Sequence, residues 1–309
     1  MNKIVKTQSK NFINLHNIPI DRLNEILSFS HEVKKDRHSH SKLLIGKSLI
    51  LLFDKPSTRT RVSFELAIQE MGGVCIYLTA ANSQLGRGES IKDTARVLSG
   101  YVDCVIIRND HHKDLETFAA DASIPVINAL TDLSHPCQIM ADLMTLQEHY
   151  GSLEKLKITW IGDGNNVANT WIQASVIFGF QLSMAIPEEY TPNRDYIEIA
   201  TKMGNKITIT EDLKEAVRDT NCLVTDTWVS MSDPKEDIEK KINTLKRYQV
   251  NEDLLSMAPN DAVFLHCLPA HRGQEVSDEV IDGNSSLVYQ QAENRLHIQK
   301  GIIKYSLDL

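Results

Sequence analysis

Short apolar runs rich in β-branched residues alternate with segments of helical period along nearly the whole chain. That alternation specifies βαβ units, and hence mainly parallel sheets with helices on both faces. The expected class is α/β, doubly wound. Strands are expected at 48–53, 74–78, 104–107 and 125–128, then at 157–161, 182–186, 207–210, 222–225 and 262–265. Helices are expected at 21–33, 60–71, 92–98, 138–150, 168–178 and 235–246. At roughly 150 residues per domain, 309 residues make two domains, with a seam near 133–152 where Gly151 and Ser152 separate a helix from a new strand. The stretch 284–305 has no strand after it and is expected to pack back on the first half.

Charge and cysteine content narrow the function classes. The 33 Lys and Arg against 41 Asp and Glu give a net charge of −8, which argues against nucleic acid and anionic membranes as partners. An anion site must therefore be local. The longest unbroken apolar run, Leu49 to Phe53, is far below the roughly 20 residues of a membrane helix. The first 20 residues lack an apolar h-region, a small-residue cleavage site and arginine, so a cytoplasmic location is expected. Cys75, Cys104, Cys137, Cys222 and Cys267 are odd in number and include no C-x-x-C, which fits reduced thiols rather than a disulfide framework or zinc ladder.

One segment is built for anions. Ser57, Thr58, Arg59, Thr60 and Arg61 follow a strand and open a helix. First-turn N–H groups, the helix dipole, hydroxyl donors and a forked guanidinium all favour phosphate there. The same residues also suit an ordinary capped helix with solvated arginines. Gly162 and Gly164 give the first two glycines of G-x-G-x-x-G, but Val167 stands at the third position, so a turn and helix cap compete with nucleotide binding. His135-Pro136-Cys137-Gln138 and His266-Cys267-Leu268-Pro269 both lie at strand ends. Neither has a closed zinc-ligand spacing, and the glycine elbow of a hydrolase nucleophile is absent.

In combination these motifs carry a resemblance. Ser57-Thr58-Arg59-Thr60-Arg61 with Ser63-Phe64-Glu65, followed by His135-Pro136-Cys137-Gln138, resembles the signature of the aspartate and ornithine carbamoyltransferase family. The second half resembles its ornithine branch through Gly162 to Asn166, Asp226-Thr227-Trp228-Val229-Ser230-Met231 and His266-Cys267-Leu268-Pro269. The likeness runs from about Asn11 to Lys304, and the ten residues before it are too few for an organelle address.

The resemblance implies transfer of the carbamoyl group of carbamoyl phosphate to the δ-amine of L-ornithine, without metal or organic cofactor. It implies a carbamoyl-phosphate domain over 1–133, joined by a C-terminal helix at about 286–305, and an ornithine domain over 150–285. By the same likeness Ser57, Thr58, Arg59 and Thr60 hold phosphate with Arg108 nearby. Thr60, Arg108 and His135 face the carbonyl oxygen. Gln138 and the backbone carbonyls of Cys267 and Leu268 accept from the carbamoyl NH₂, with Pro136, Cys137 and Arg295 completing that set. Gln84 matches a loop that reaches a neighbouring subunit's site, implying a homotrimer or a multiple of trimers. Asn166, Asp226, Ser230 and Met231 match the ornithine contacts, with Asp226 and Cys267 beside the attacking amine. Ser232 departs from the branch's Ser-Met-Gly, where glycine would permit a positive φ that serine resists. The competing readings are a putrescine, aspartate or other amine carbamoyltransferase, a non-catalytic binding relative, and a nucleotide-binding oxidoreductase.

Overall fold

The computed structural model describes residues 10–82, 84, 88–204, 207–230 and 233–309. The chain forms two compact units. One runs to Met140 and takes up Asn294–Leu309; the other is Ala141–Glu293.

The first unit is built on a parallel sheet of β1 (Ser48–Phe53), β2 (Val74–Thr79), β3 (Cys104–Arg108) and β4 (Val126–Leu130), in the order β2-β1-β3-β4. Its helices are α1 (Ile20–Lys35), α2 (Thr58–Glu70), α3 (Ile91–Ser99) and α4 (His112–Asp121), with the start of α5 (Pro136–Tyr150). Strand β1 is apolar from Leu49 to Phe53 and buried throughout that run, as a strand covered on both faces must be. Thr60, Phe64, Ala67 and Ile68 form the buried stripe of α2. The chain passes from β1 to β2 on one side and returns to β3 on the other, so the carboxyl ends of β1 and β3 flank a topological switch point. There the β3–β4 register shifts between Ile107 and Arg108.

The second unit carries β5 (Lys157–Ile161), β6 (Gln181–Ala185), β7 (Ile207–Thr210), β8 (Cys222–Thr225) and β9 (Val263–His266), parallel and ordered β7-β6-β5-β8-β9. Around them run α6 (Asn166–Phe178), α7 (Arg194–Lys202), α8 (Leu213–Val217), α9 (Ile238–Leu245), α10 (Glu252–Ser256) and α11 (Asp278–Ile281). Its switch point lies between β5 and β8. Trp228, Tyr248, Phe264 and Val276 are central to the core on one side of this sheet. The expected α/β class is therefore present twice.

The last helix, α12 (Val288–Ser306), belongs to the first unit from Asn294 onward. Buried Lys300 there pairs with Glu70 at 2.7 Å and donates to the Arg37 carbonyl. A Cβ on Gly301 would lie 2.5 Å from Ser30 Oγ and 2.8 Å from the Ile26 carbonyl, so only glycine lets α12 approach α1 this closely.

Candidate active site

The first candidate half-site grows from the turn between β1 and α2. Ser57 caps α2: its Oγ accepts from Thr60 N–H at 3.4 Å and donates to Thr60 Oγ1 at 3.0 Å. Thr60 Oγ1 is a meeting point, because Arg295 Nη2 donates to it at 3.1 Å and Arg108 Nη1 approaches at 3.5 Å. Arg295, 4% exposed, also donates through Nη1 to Gln138 Oε1 at 2.6 Å. Two guanidinium groups, a hydroxyl and an amide thus converge within one unit. The oxygens that receive these hydrogen bonds, Thr60 Oγ1 and Gln138 Oε1, are neutral. Thr58 and Arg59 are exposed at the first turn of α2, whose unpaired N–H groups add to the anion-binding character.

His135 is buried immediately before α5. Burial, then Arg295 and Arg108, hold its pKa well below the ordinary histidine value, so the ring is neutral and has one N–H to donate. Cys137 has a different position from a substrate-facing thiol. It is fully buried, donates to the Asn128 carbonyl at 3.2 Å, and burial pushes it up to about 12. Only its backbone can serve a ligand. Pro136 is buried beside it as the first residue of α5. Gln84 is exposed, and among the described residues no hydrogen bond ties its side chain to this cluster.

The second candidate half-site lies at the carboxyl ends of β5, β8 and β9. Asp226 Oδ1 accepts from the Cys267 thiol at 2.9 Å and Oδ2 from Asn165 Nδ2 at 2.9 Å. Asn165 also caps α6, its Oδ1 accepting from the N–H groups of Val167 and Ala168 at 2.9 and 3.1 Å. One side chain therefore fixes both a helix start and an acid. Gly164 has a packing role instead of a nucleotide role: a Cβ there would meet the Tyr190 carbonyl and Pro192 N at 2.4 Å.

Asn166 begins α6, half-buried, and Ser230 is exposed with its N–H on Asp233 Oδ2 at 2.9 Å. Met231 and Ser232 lie outside the described residues. Lys241 of α9 bridges Asp163 at 2.8 Å and Asp233 at 2.9 Å, tying the Gly162–Asn166 loop to the one that carries Ser230. Burial pushes Asp163 up to about 6 against the pull of Lys241.

Atoms of Asp226, His266 and Cys267 that could ligate a metal come within 4.8 Å of one another. Both His266 nitrogens are engaged, however. Nδ1 accepts from Leu268 N–H at 2.9 Å, which leaves the proton on Nε2 to donate to Glu275 at 3.2 Å. His266 thus supports the loop after β9, where Leu268 takes a φ of 55°, and does not point at a ligand.

Residues 10–148 match the family described as aspartate/ornithine carbamoyltransferase, carbamoyl-P binding domain, and residues 154–306 match its Asp/Orn binding domain. The chain belongs to the aspartate/ornithine carbamoyltransferase family. Among carbamoyltransferase relatives, the ornithine carbamoyltransferase of Bradyrhizobium diazoefficiens is 50% identical over 301 residues, covering 97% of this chain and 97% of that protein. The solved ornithine carbamoyltransferase from Pyrococcus furiosus superposes with a TM-score of 0.91 at 43% identity, covering 96% of each chain. The anabolic ornithine carbamoyltransferase of Campylobacter jejuni gives 0.90 at 38%, covering 97% of this chain and 99% of that one.

Within this carbamoyltransferase the structure brings Ser57, Thr60, Arg108, His135, Gln138 and Arg295 together in one unit, and Asn166, Asp226, Cys267 and Leu268 at neighbouring strand ends of the other. Sequence reasoning missed three supports. Asn165 was readable as a cap but not as the partner of Asp226. Lys241 looked like any helix-surface lysine. His112 and Thr131, which underlie the His135 turn, carried no motif.

Proposed function

We propose that this chain transfers the carbamoyl group of carbamoyl phosphate to the δ-amine of L-ornithine, giving L-citrulline and phosphate. The single observation that carries the choice of amine is the Asp226–Cys267 pair, joined at 2.9 Å. An acid and a thiol suit a cationic amine; a second substrate carboxylate, as in aspartate, would call for cations there. Relatives named ornithine carbamoyltransferase over nearly the whole chain support the same reading.

Carbamoyl phosphate belongs with the first unit's cluster. Arg59 and the first turn of α2, with Ser57 and Thr58, neutralise the phosphate, which leaves with the bridging oxygen when its C–O bond to the carbamoyl carbon breaks, after the C–N bond has formed. As the C–N bond forms, charge develops on the carbonyl oxygen, and Thr60, Arg108, Arg295 and neutral His135 supply donors for it. Losing one such donor costs about 2.7–4 kcal/mol of transition-state stabilisation in comparable sites. The amine, with a pKa near 10.4, must shed a proton before its lone pair can attack. Asp226 and Cys267 are the groups placed to orient it and bias that proton, which leaves ultimately with phosphate or solvent. Asn166, Ser230 and Met231 are assigned to the α-carboxylate and α-amine.

The proposal extends to a cytoplasmic homotrimer, or a multiple of trimers, in which Gln84 contributes to a neighbouring site. Exposure of Gln84 is compatible with that role. No helix among the described residues is long and apolar enough to cross a membrane.

Phosphate release from carbamoyl phosphate in the presence of ornithine, putrescine, aspartate or N-acetylornithine tests the assignment. Ornithine should be the preferred acceptor. Turnover with putrescine and none with ornithine would overturn it.

A further inference from the structure

His135 has to present one N–H to an oxygen whose charge appears only during the reaction, so its aim matters as much as its presence. The residues that set that aim lie one layer deeper. His135 leaves a tight turn, Thr131 to Ser134, that closes when Thr131 N–H donates to the Ser134 carbonyl at 3.0 Å and Ser134 N–H donates to Thr131 Oγ1 at 3.3 Å. Asn128 Nδ2 pins Ser134 Oγ at 3.0 Å. Directly after the turn, the His135 carbonyl accepts from Gln138 and Ile139 N–H and starts α5.

Buried against this turn is His112, the first residue of α4. Its Nδ1 lies 2.8 Å from Thr131 Oγ1, its Nε2 lies 3.1 Å from Asn14 Nδ2, and its backbone N–H donates to Asp132 Oδ1 at 2.9 Å. Asn14 donates to Nε2, so the ring proton sits on Nδ1 and is given to Thr131. Thr131 Oγ1 can then donate onward to the Ser134 carbonyl at 3.4 Å. A neutral imidazole, acceptor on one side and donor on the other, fits this position. Burial keeps it so, with His16 adding to the effect and Glu116 and Asp132 opposing it. The position of His112 at the positive end of α4 disfavours a charged ring further.

We infer that His112 and Thr131 are positioning residues for His135, because their hydrogen bonds converge on the turn that aims it at the carbamoyl oxygen. This rests on the carbonyl-oxygen role proposed for His135. A buried histidine that merely filled space would have no reason to set a ring nitrogen on Thr131, while its backbone N–H on Asp132 ties the start of α4 to the same turn. A small shift of the turn moves the donor, and misplacement of about 1 Å can cost about a hundredfold in rate.

The test uses Thr131→Val, which keeps shape and removes the hydroxyl, Thr131→Ser, which restores it, and His112→Gln as a second route should the valine variant not fold. Thr131→Val and His112→Gln should lower kcat by about ten- to hundredfold, with ornithine KM within about twofold of wild type. Thr131→Ser should recover most of the rate. Introduced on top of His135→Ala, Thr131→Val should cost nothing further, because the group it aims is gone. Unchanged kcat in Thr131→Val and His112→Gln, alongside an impaired His135→Ala, would overturn the inference alone. A loss in Thr131→Val that adds in full to that of His135→Ala would also overturn it. Wild-type turnover in His135→Ala would instead bring down the role proposed for His135.

Discussion

Asn165 offers two functions that one substitution can separate. Its Oδ1 caps α6, and its Nδ2 holds Asp226 Oδ2 at 2.9 Å. Asn165→Asp keeps an oxygen for the cap, and a negative charge at a helix N-terminus stabilises by about 0.3–1 kcal/mol. The same change replaces the donor facing Asp226 with a second carboxylate. Two unit charges 4 Å apart at an effective dielectric of 20 repel by about 4 kcal/mol, which the pair will relieve by moving apart or by sharing a proton. Either response disturbs the group assigned to the ornithine amine. Losing a hydrogen bond to a charged group is worth about 1.5–3 kcal/mol, so ornithine KM should rise roughly ten- to hundredfold. By contrast, Asn165→Ala loses both functions, and a lost cap of about 1 kcal/mol by itself lowers Tm by roughly 2–4 °C in a unit the size of Ala141–Glu293. Initial rates of citrulline formation against ornithine, beside circular-dichroism melts, measure both. An N165D protein with wild-type ornithine KM would refute the orienting bond, and an N165A protein with wild-type Tm would refute the cap.

Arg59 is exposed and Arg59→Ala should leave stability within about 0.5 kcal/mol while kcat falls by about 10²–10³; near-normal turnover would remove it from the phosphate site. Cys104, Cys137 and Cys222 are buried and pushed up, and Cys75 is pushed up to about 12, so these four thiols should resist alkylation of the folded protein, and any labelling of Cys267 should be slowed by ornithine. Peptide mapping that finds Cys75 labelled first would contradict this. His112 titrates below its ordinary 6.5 in the folded chain, so its neutral form favours folding fully above that pH and the contribution is lost as pH falls. Asp163, raised to about 6 from 3.8, acts with the opposite sign between those values. The His112 effect is therefore read as a difference: the stability gap between wild type and His112→Asn, from urea midpoints, should narrow between pH 7.5 and 5.5, and a constant gap would refute it.

Strands and long helices were legible because burial on both faces leaves continuous apolar runs, as in β1, and an amphipathic stripe leaves a 3.6-residue period, as in α2. Helices α4 and α7, of ten and nine residues, were not among those expected, and neither were α8, α10 and α11, whose four or five residues carry too little period. Their caps, Asp212, Asn251 and Ser277, read equally well as turn residues. In the site, contiguous motifs were visible while their supports were not. Asp226 is held by Asn165 and Cys267, and Thr60 by Arg295, across long stretches of sequence. Spacing along the chain holds no record of such meetings. Composition left room for this: an acidic chain still gathers Arg108 and Arg295 around a single hydroxyl, as a local site requires.

The division of the chain within α5 and again within α12 bears on the order of its synthesis. Arg295, which engages Thr60 and Gln138, is translated after the whole of the second unit. A nascent chain that has emerged only as far as Glu293 already contains every residue proposed for the ornithine half-site, yet the cluster proposed for phosphate lacks a central cation. The half translated first is therefore the half completed last, and C-terminal truncations should disable carbamoyl-phosphate binding before they touch the ornithine residues.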